Sequence, residues 1–233
     1  MSGPKLTFLI RWVLDEWVPP IVRDSRWFFA PVMRFYNRKL DLDFKVKAPA
    51  MTEHEFCEAY ERIMPMRESD VTSKVRQFVL SHLVGTSVLE VGCGNGTMAL
   101  ECAKRGFQVT ATDLAESNVL RIREKSTDVQ AEVANAECLP FADAVFDTVI
   151  CLHTLEHVRG LARAAAELQR VTRRRLIVVV PRERYYRYSG NYHLNFFGGA
   201  EQLGLLFGHS KYESRVLDGA ICYAANTQVP SAQ

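Results

Sequence analysis

The sequence predicts an α/β protein with a doubly wound, mostly parallel sheet of seven strands, preceded by a helical N-terminal cap. From Ser87 onward, short apolar runs alternate with helix-compatible segments. The run 175–180 is continuously apolar, which is typical of a strand buried on both faces of a parallel sheet. A glycine-rich stretch at 92–96 follows the first apolar run, where a strand would turn into a helix. We therefore predict a cap and linker over residues 1–84 and the sheet domain over residues 85–233.

Composition sets wide limits on the function. The 233 residues are 48% hydrophobic and 24% charged, as in ordinary globular proteins, and the net charge of +2 does not by itself indicate a nucleic-acid partner. The six cysteines form no C-x-x-C pair and do not have the spacing of zinc ligands, so we predict no metal and a reducing, cytoplasmic compartment. Arg11, Asp15 and Glu16 interrupt the early apolar residues, which argues against a signal peptide or a membrane-spanning helix there.

The N-terminal segment is the least standard part of the chain. Residues 6–18 carry apolar side chains at helical spacing and predict an amphipathic helix that ends at Pro19 and Pro20. Basic and aromatic residues then alternate over residues 21–40. Three interpretations stay open: a cap whose aromatic residues pack on the sheet domain, a pocket for an acidic or sugar-bearing substrate, or peripheral contact of residues 5–47 with the anionic inner face of a membrane. We predict no nucleic-acid partner.

The remaining elements follow from periodicity and from capping patterns. A T-E-H-E capping box at Thr52 predicts a helix to residue 63, and a second helix is expected over residues 70–83. The predicted strands are 88–91, 107–112, 129–133, 146–152, 175–180, 212–217 and 220–225, and the helices between them are 97–105, 116–125, 161–171 and 201–207.

The stretch 88–100, VLEVGCGNGTMAL, indicates a small-molecule site. Glycines Gly92, Gly94 and Gly96 let the backbone approach a ligand closely, and the helix that follows supplies free N–H groups and a partial positive charge. The dinucleotide pattern G-x-G-x-x-G would require a glycine where Thr97 stands. The pattern here is G-x-G-x-G, which weakens the interpretation as a nicotinamide dinucleotide site.

Asp113 closes the second predicted strand, 21 residues after Gly92. An acidic residue at about this separation meets the ribose hydroxyls in nucleotide-binding βαβ units, and a carboxylate accepts hydrogen bonds from both hydroxyls. The alternative is that Asp113 caps the next helix.

With Glu90 two residues before the first glycine, this pattern resembles motif I of the class I S-adenosylmethionine-dependent methyltransferases. The resemblance continues through residues 133–158, with Leu-Pro-Phe before strand 4 and Leu-Glu-His-Val after it, and it covers about residues 86–225. It implies a Rossmann-like fold, S-adenosyl-L-methionine as cofactor and transfer of its methyl group to a substrate. The cofactor-binding residues that it implies are Glu90, Gly92, Cys93, Gly94, Asn95, Gly96, Asp113, Leu114, Asn135, Ala136 and Glu137.

Asn135 departs from the family pattern, in which an aspartate is commoner at this place. In the family this residue contacts the adenine amino group, and the backbone N–H that follows, here that of Ala136, meets the ring. An asparagine side chain still offers an acceptor, but the exchange removes a charge and puts the affinity in doubt.

Three histidines are candidates for the base that removes a proton from the acceptor. His153 lies just past strand 4, at the carboxyl edge of the sheet where ligands bind in open α/β folds. His193 lies in the long loop after strand 5, and His157 follows Glu156 near the same edge. For His157 a structural role is an equally good interpretation.

The loop after strand 5 is predicted to contact the acceptor, because loops at this edge usually build the substrate pocket. Guanidinium and tyrosine side chains suit a sugar, phosphate or carboxylate, so we expect a small or lipid-linked acceptor, with a cell-envelope saccharide or glycolipid as the specific hypothesis. Nothing decides between an oxygen and a nitrogen acceptor. The predicted substrate-binding residues are Arg182, Tyr185, Tyr186, Tyr192 and Asn195.

Two other function classes stay open. A NAD-dependent oxidoreductase would share the strand, the glycine loop and Asp113. A catalytically silent, membrane-associated binding protein on the same scaffold would keep the cap without turnover. The oligomeric state is not predicted.

Overall fold

The computed structural model describes residues 13, 17–23, 25–28, 30–31, 43–63, 71–185 and 192–227. Their contacts divide the chain into two compact units. One holds the described residues of Met1–Ala50 and Tyr185–His193, and the other holds those of Met51–Arg184 and Leu194–Gln233. The predicted boundary at residue 84 stays a prediction. Most of the helix predicted over residues 6–18 lies outside the described residues.

The described helices and strands follow the predicted order. In the first unit, helices α1 and α2 span Pro20–Arg23 and Phe44–Lys47, and a 3-10 turn spans Ala48–Ala50. In the second unit the helices are α3 Glu53–Ile63, α4 Ser73–His82, α5 Thr97–Lys104, α6 Glu116–Lys125, α7 Leu161–Val171 and α8 Ala200–Phe207. The strands are β1 Ser87–Val91, β2 Gln108–Asp113, β3 Val129–Val133, β4 Phe146–Leu152, β5 Thr172–Pro181, β6 Glu213–Leu217 and β7 Ala220–Asn226. Within the described residues, no helix is long and apolar enough to cross a membrane.

The predicted fold class is confirmed. The seven strands form one sheet in the order β3-β2-β1-β4-β5-β7-β6. The first five strands pair in parallel, whereas β7 is antiparallel to both β5 and β6. Strand β5 begins at Thr172, three residues earlier than predicted, because Thr172 already pairs with Phe146 of β4.

Each face of the sheet is covered by helices, as a doubly wound fold requires. The two hydrophobic clusters use alternate residues of the central strands, since successive side chains in a strand point to opposite faces. Leu89 and Val91 belong to the cluster that also contains residues of α7 and α8, whereas Val88 belongs to the cluster with residues of α4, α5 and α6. The buried sheet therefore positions the loops at its carboxyl edge.

Asp147 joins three segments at the opposite, amino edge of the sheet. Its Oδ2 accepts hydrogen bonds from the N–H groups of Thr86, at 2.9 Å, and Ser87, at 3.3 Å. Its Oδ1 lies 2.9 Å from Nη2 of Arg173, a residue that the longer β5 brings into the sheet. The Thr86 N–H is the main cause that lowers the pKa of Asp147 to about 2, and the Ser87 N–H and the Arg173 guanidinium act in the same direction against its burial.

Replacing the Asp147 carboxylate tests how much its contacts at the amino edge of the sheet contribute to the free energy of unfolding. We expect Asp147→Asn to lower the free energy of unfolding by about 2 kcal/mol at pH 7, because a folded pKa near 2 lies about two units below the unfolded value. A depressed pKa stabilises the fold above the unfolded pKa near 4, and this contribution is lost as the pH falls through about 2. Denaturant unfolding at pH 7 and pH 3 measures the difference, which should shrink to about half at pH 3.

The exposed Asp128 provides the matched control for this substitution. We expect Asp128→Asn to change the unfolding free energy by less than about 0.5 kcal/mol at either pH, as is usual for surface substitutions. An equal effect of both substitutions would contradict the role given to Asp147.

Candidate functional site

An open cleft lies where the parallel strands of the second unit end. This is the edge at which ligands bind in open α/β sheets. Five of the predicted cofactor-binding residues line it. The lining residues are Glu53, Phe56, Cys57, Tyr60, Val91, Gly92, Leu114, Ala134, Asn135, Ala136, Glu137, Thr154, His157, Val158 and Arg159.

Gly92 begins the loop between β1 and α5. Its φ of 73° lies in the left-handed region, and a Cβ atom built on it would lie 2.1 Å from Oγ1 of Thr154. The N–H groups of Gly92 and Cys93 both donate to the carbonyl of Thr112, at 2.8 and 2.9 Å. The loop is therefore fixed between the ends of β2 and β4, and only glycine fits at its first position.

The loop then turns into helix α5. The side-chain oxygen of Asn95 accepts a hydrogen bond from the N–H of Thr97 at 3.1 Å, which satisfies one donor at the helix start. Gly96 has a φ of 76°, and a Cβ atom there would lie 2.5 Å from the side chain of Ile122. The predicted cofactor residues Asn95 and Gly96 thus set the geometry with which the loop enters the helix.

Asp113 holds the glycine loop and the start of α6 together. Its Oδ2 accepts from the N–H of Gly94 at 2.8 Å, and its Oδ1 accepts from the N–H of Ala115 at 2.9 Å. Burial raises the pKa of this carboxyl, and the N–H groups of Ala115 and Gly94 oppose that effect. Both interpretations of Asp113 are therefore compatible: it orders the next helix, and its carboxylate lies next to the loop. Its neighbour Leu114 lines the cleft.

Glu90 is a buried acid in the middle of the sheet. Among the residues that the structure describes, no hydrogen-bond partner lies within reach of its buried Oε2. Burial raises the pKa of Glu90 to about 8, the negative charge of Asp113 adds to the effect, and the N–H of Ala99 opposes it. An orphaned carboxylate oxygen two residues before Gly92 would be satisfied by a protonated amino group, which is a chemical fit to the methionine moiety of S-adenosylmethionine.

Asn135 and Glu137 follow β3 and line the cleft. The Asn135 Oδ1 accepts from the N–H of Glu137 at 2.9 Å, and its Nδ2 donates to Oε1 of Glu53 at 2.9 Å. The Glu137 carboxylate accepts from the N–H groups of Arg159 and Gly160, at 3.0 and 2.8 Å. Although burial raises it, the Gly160 N–H and the nearby Arg163 keep the pKa of Glu137 below its usual value. The Glu137 side chain therefore orders the start of α7, and a cofactor contact through it stays a prediction.

His153 is held at the end of β4. Its φ of 52° lies in the left-handed region, which is uncommon for a side-chain-bearing residue, and its N–H donates to the carbonyl of Val179 at 2.8 Å. Its Nδ1 lies 3.4 Å from Oε1 of Glu156, whose side chain is only 1% exposed. A carboxylate at this distance can orient the ring.

The other two candidate bases differ in placement. His157 is buried, lines the cleft and lies edge-on to the ring of Tyr60, with 6.3 Å between ring centroids. His193 is also buried, but it belongs to the first unit. The choice among the three histidines stays a prediction.

The predicted substrate residues have separate surroundings. The Nδ2 of Asn195 donates to the carbonyls of Leu155 and Val158, at 2.8 and 2.7 Å, so this side chain fixes the segment that carries His157. Arg182 is exposed, and its Nε donates to the carbonyl of Gly198 at 3.1 Å. The remaining three are Tyr185, which is exposed, Tyr192, whose ring meets that of Phe44 edge-on, and Tyr186, which lies outside the described residues.

One wall of the cleft comes from a predicted helix whose individual residues were not predicted as site residues. Helix α3 contributes side chains spaced by three, one and three residues, which puts them on one helical face: Glu53, Phe56, Cys57 and Tyr60. The guanidinium of Arg159 lies 4.8 Å from the centroid of the Phe56 ring, and its Nη1 donates to the carbonyl of Met51 at 2.6 Å. The same spacing was available in the sequence as a signal, but it does not say what the face covers.

Comparisons with known proteins agree with this geometry. Residues 89–180 match the family described as methyltransferase domain. The ubiquinone biosynthesis O-methyltransferase of Rickettsia akari is 34% identical over 101 residues, which are 42% of this chain and 40% of that protein. The chain thus spans about two fifths of the length of the curated relatives it matches.

Solved structures show the same fold. A SAM-dependent methyltransferase from Aquifex aeolicus aligns with a TM-score of 0.54 and 17% identity, over 76% of this chain and all of that one. The [4+2]-cyclase SpnF aligns with a TM-score of 0.51 and 26% identity, over 61% of this chain and 58% of that one. Residues 89–180 therefore match a methyltransferase domain, and the sheet that surrounds them has the fold of solved SAM-dependent methyltransferases.

Proposed function

We propose that this protein is an S-adenosylmethionine-dependent O-methyltransferase that acts on a hydroxyl group of a small or lipid-linked molecule. The observation that carries the proposal is the cleft, where the glycine loop and the loops after β2, β3 and β4 meet within one methyltransferase domain. An oxygen acceptor is favoured over nitrogen because the curated relatives include O-methyltransferases of ubiquinone biosynthesis.

The protein's own contribution to such a reaction is binding, alignment and proton removal. When bound, the cofactor supplies an activated methyl group on its sulfonium. We assign the ribose hydroxyls to Asp113, whose carboxylate meets the glycine loop at Gly94, and the amino group to the Glu90 carboxylate. Since methyl transfer to a hydroxyl releases a proton, the site also needs a base that accepts this proton.

His153 is the base that we propose. It follows the last residue of β4, at the carboxyl edge of the sheet, and the buried Glu156 lies 3.4 Å from its Nδ1 and can orient the ring. His157, which lines the cleft itself, is the alternative.

Calorimetry with S-adenosylmethionine and with NADH tests the cofactor. We expect the protein to bind S-adenosylmethionine and to give no signal with NADH, because the glycine loop lacks the third glycine of the dinucleotide pattern. Asp113→Asn should weaken the binding about 10- to 100-fold, as expected when a charged hydrogen-bond acceptor is lost. Binding of NADH alone would favour the oxidoreductase, and binding without turnover on any acceptor would favour the silent binding protein.

Methyl transfer from labelled S-adenosylmethionine tests the base, with phenolic, polyprenylated phenolic and saccharide acceptors as probes. We expect His153→Gln to lower kcat by about 10²- to 10⁴-fold, since this is the usual contribution of a general base, and to leave the Kd for the cofactor unchanged. His54→Gln, at an exposed position of α3, is the control and should retain full activity. A loss in His157→Gln with His153→Gln unaffected would give the role to His157.

The finer hypothesis concerns where the acceptor comes from. Described residues of the first unit present large apolar side chains to solvent: Trp17 is 72% exposed and Trp27 is 71% exposed. Arg23 and Arg26 lie in the same stretch of the chain. Aromatic and basic groups together suit an anionic membrane surface, which would give access to a lipid-linked saccharide or glycolipid.

Sedimentation with liposomes of neutral and anionic lipid tests this surface. We expect the full-length protein to bind the anionic liposomes, and Trp17→Ser combined with Trp27→Ser to reduce the bound fraction several-fold, because each indole loses apolar burial in the interface. Leu205→Ser is the matched control, since Leu205 is 84% exposed but lies in the second unit. Equal sedimentation of all three proteins would contradict the membrane hypothesis.

A further inference from the structure

The orientation of the Asn135 side chain is set by its two partners. The N–H of Glu137 can only donate, so the atom 2.9 Å from it must be the carbonyl oxygen of the Asn135 amide. The amide nitrogen then faces Oε1 of Glu53 at 2.9 Å, and the carboxylate there can only accept when ionised. The asparagine therefore acts as an adaptor between the loop after β3 and a carboxylate that comes from α3.

Glu53 lies outside the part of the chain that matches the methyltransferase family, yet it lines the same cleft as Asn135 and Ala136. Other contacts hold the helix that carries it. The carbonyl of Met51 accepts from Nη1 of Arg159 at 2.6 Å, and Oε1 of Glu61 accepts from the N–H of Glu116 at 3.1 Å. The position of the Glu53 carboxylate therefore does not depend on Asn135 alone.

We propose that Glu53 is a cofactor-binding residue of this chain, whose carboxylate accepts a hydrogen bond from the exocyclic amino group of the adenine ring. This inference rests on the proposed function. It assigns the acidic group of the adenine site to α3, where the family pattern would place it at residue 135.

The negative charge of Glu53 explains why an asparagine is favourable at position 135, where the family more often has an aspartate. A carboxylate offers about four acceptor positions, so a Glu53 that receives one hydrogen bond from Asn135 can receive another from a ligand. A charged acceptor binds an amino group more strongly than the neutral amide oxygen of asparagine does. Aspartate at position 135 would set two carboxylates against each other at hydrogen-bond distance, whereas asparagine supplies the donor that Glu53 needs.

Binding of S-adenosylhomocysteine and of S-inosylhomocysteine, measured by calorimetry, tests the proposal. The second compound carries a carbonyl oxygen where adenine has its amino group, so it accepts where the first one donates. We expect the wild type to prefer S-adenosylhomocysteine and Glu53→Gln to reduce that preference about 10-fold, because a glutamine amide can also donate to the carbonyl. Glu58→Gln is the control, since Glu58 is an exposed acid of the same helix that does not line the cleft.

The outcomes distinguish a failure of the role given to Glu53 from a failure of the proposed function. If Glu53→Gln weakens the binding of both compounds equally, Glu53 acts only by holding α3, and the proposal is overturned. An unchanged preference overturns it as well. If the wild type binds neither compound, the proposed function itself fails, whereas wild-type binding with an unchanged preference overturns the role of Glu53 alone.

A second pair of variants tests the adaptor role of Asn135. We expect Asn135→Asp to weaken S-adenosylhomocysteine binding about 10-fold through repulsion of Glu53, and Asn135→Asp combined with Glu53→Gln to recover most of the loss, because donor and acceptor are then exchanged. The thermal midpoint of each variant checks that the fold is retained. Effects that simply add in the double variant would show that the two side chains are not coupled and would overturn the proposal.

Discussion

The contact between Gly92 and Thr154 is the constraint on which the site depends. A side chain at position 92 has no room, since its first atom would lie 2.1 Å from the threonine hydroxyl. The same hydroxyl donates toward the carbonyls of Val91 and Leu152, at 3.2 and 3.1 Å, so it connects the ends of β1 and β4. With Thr112 of β2 accepting from the loop, three neighbouring strands end at one place and the loops after them face one cleft.

Two buried acids lie beside the residues that line this cleft, Glu90 before Val91 and Asp113 before Leu114. Glu90 and Asp113 both have raised pKa values because burial disfavours their charged forms, and the charge of Asp113 contributes to the shift of Glu90. Carboxyl groups that are costly to ionise in the ligand-free protein are suited to a ligand that brings a positive charge or several hydroxyl donors. The apolar core around them, built from the same sheet, is the cause of the burial that raises both pKa values.

Much of the fold could be predicted from the sequence because its strands are apolar and its helices begin and end at recognisable residues. Helices α6 and α7 and strands β3 and β4 have the bounds that periodicity predicts. The start of β5 was missed because Arg173 and Arg174 look like a polar turn, whereas Arg173 is balanced by Asp147 across the sheet edge. Local sequence does not contain that long-range ion pair.

The site was predictable to the extent that its residues follow strand ends. Gly92, Leu114 and Asn135 come directly after or shortly after β1, β2 and β3, and all three line the cleft. The side chains of Glu137 and Asn195 make hydrogen bonds to backbone groups of the protein and, for Glu137, also to Arg163, and their predicted ligand contacts stay predictions. Strand ends do not predict the cleft residues of α3, because α3 reaches the cleft through contacts with segments about 80 residues away in the sequence.

That separation in sequence has a consequence for how the ligand enters. Contacts between distant segments cost loop-closure entropy, and α3 is held to the rest of its unit by exposed hydrogen bonds of Glu53 and Glu61 together with the buried ring of Phe56. Elements of this kind open locally at a lower free energy than buried strands do. We therefore expect α3 to detach and return while the sheet stays folded, so that access to the cleft is governed by the local stability of one short helix.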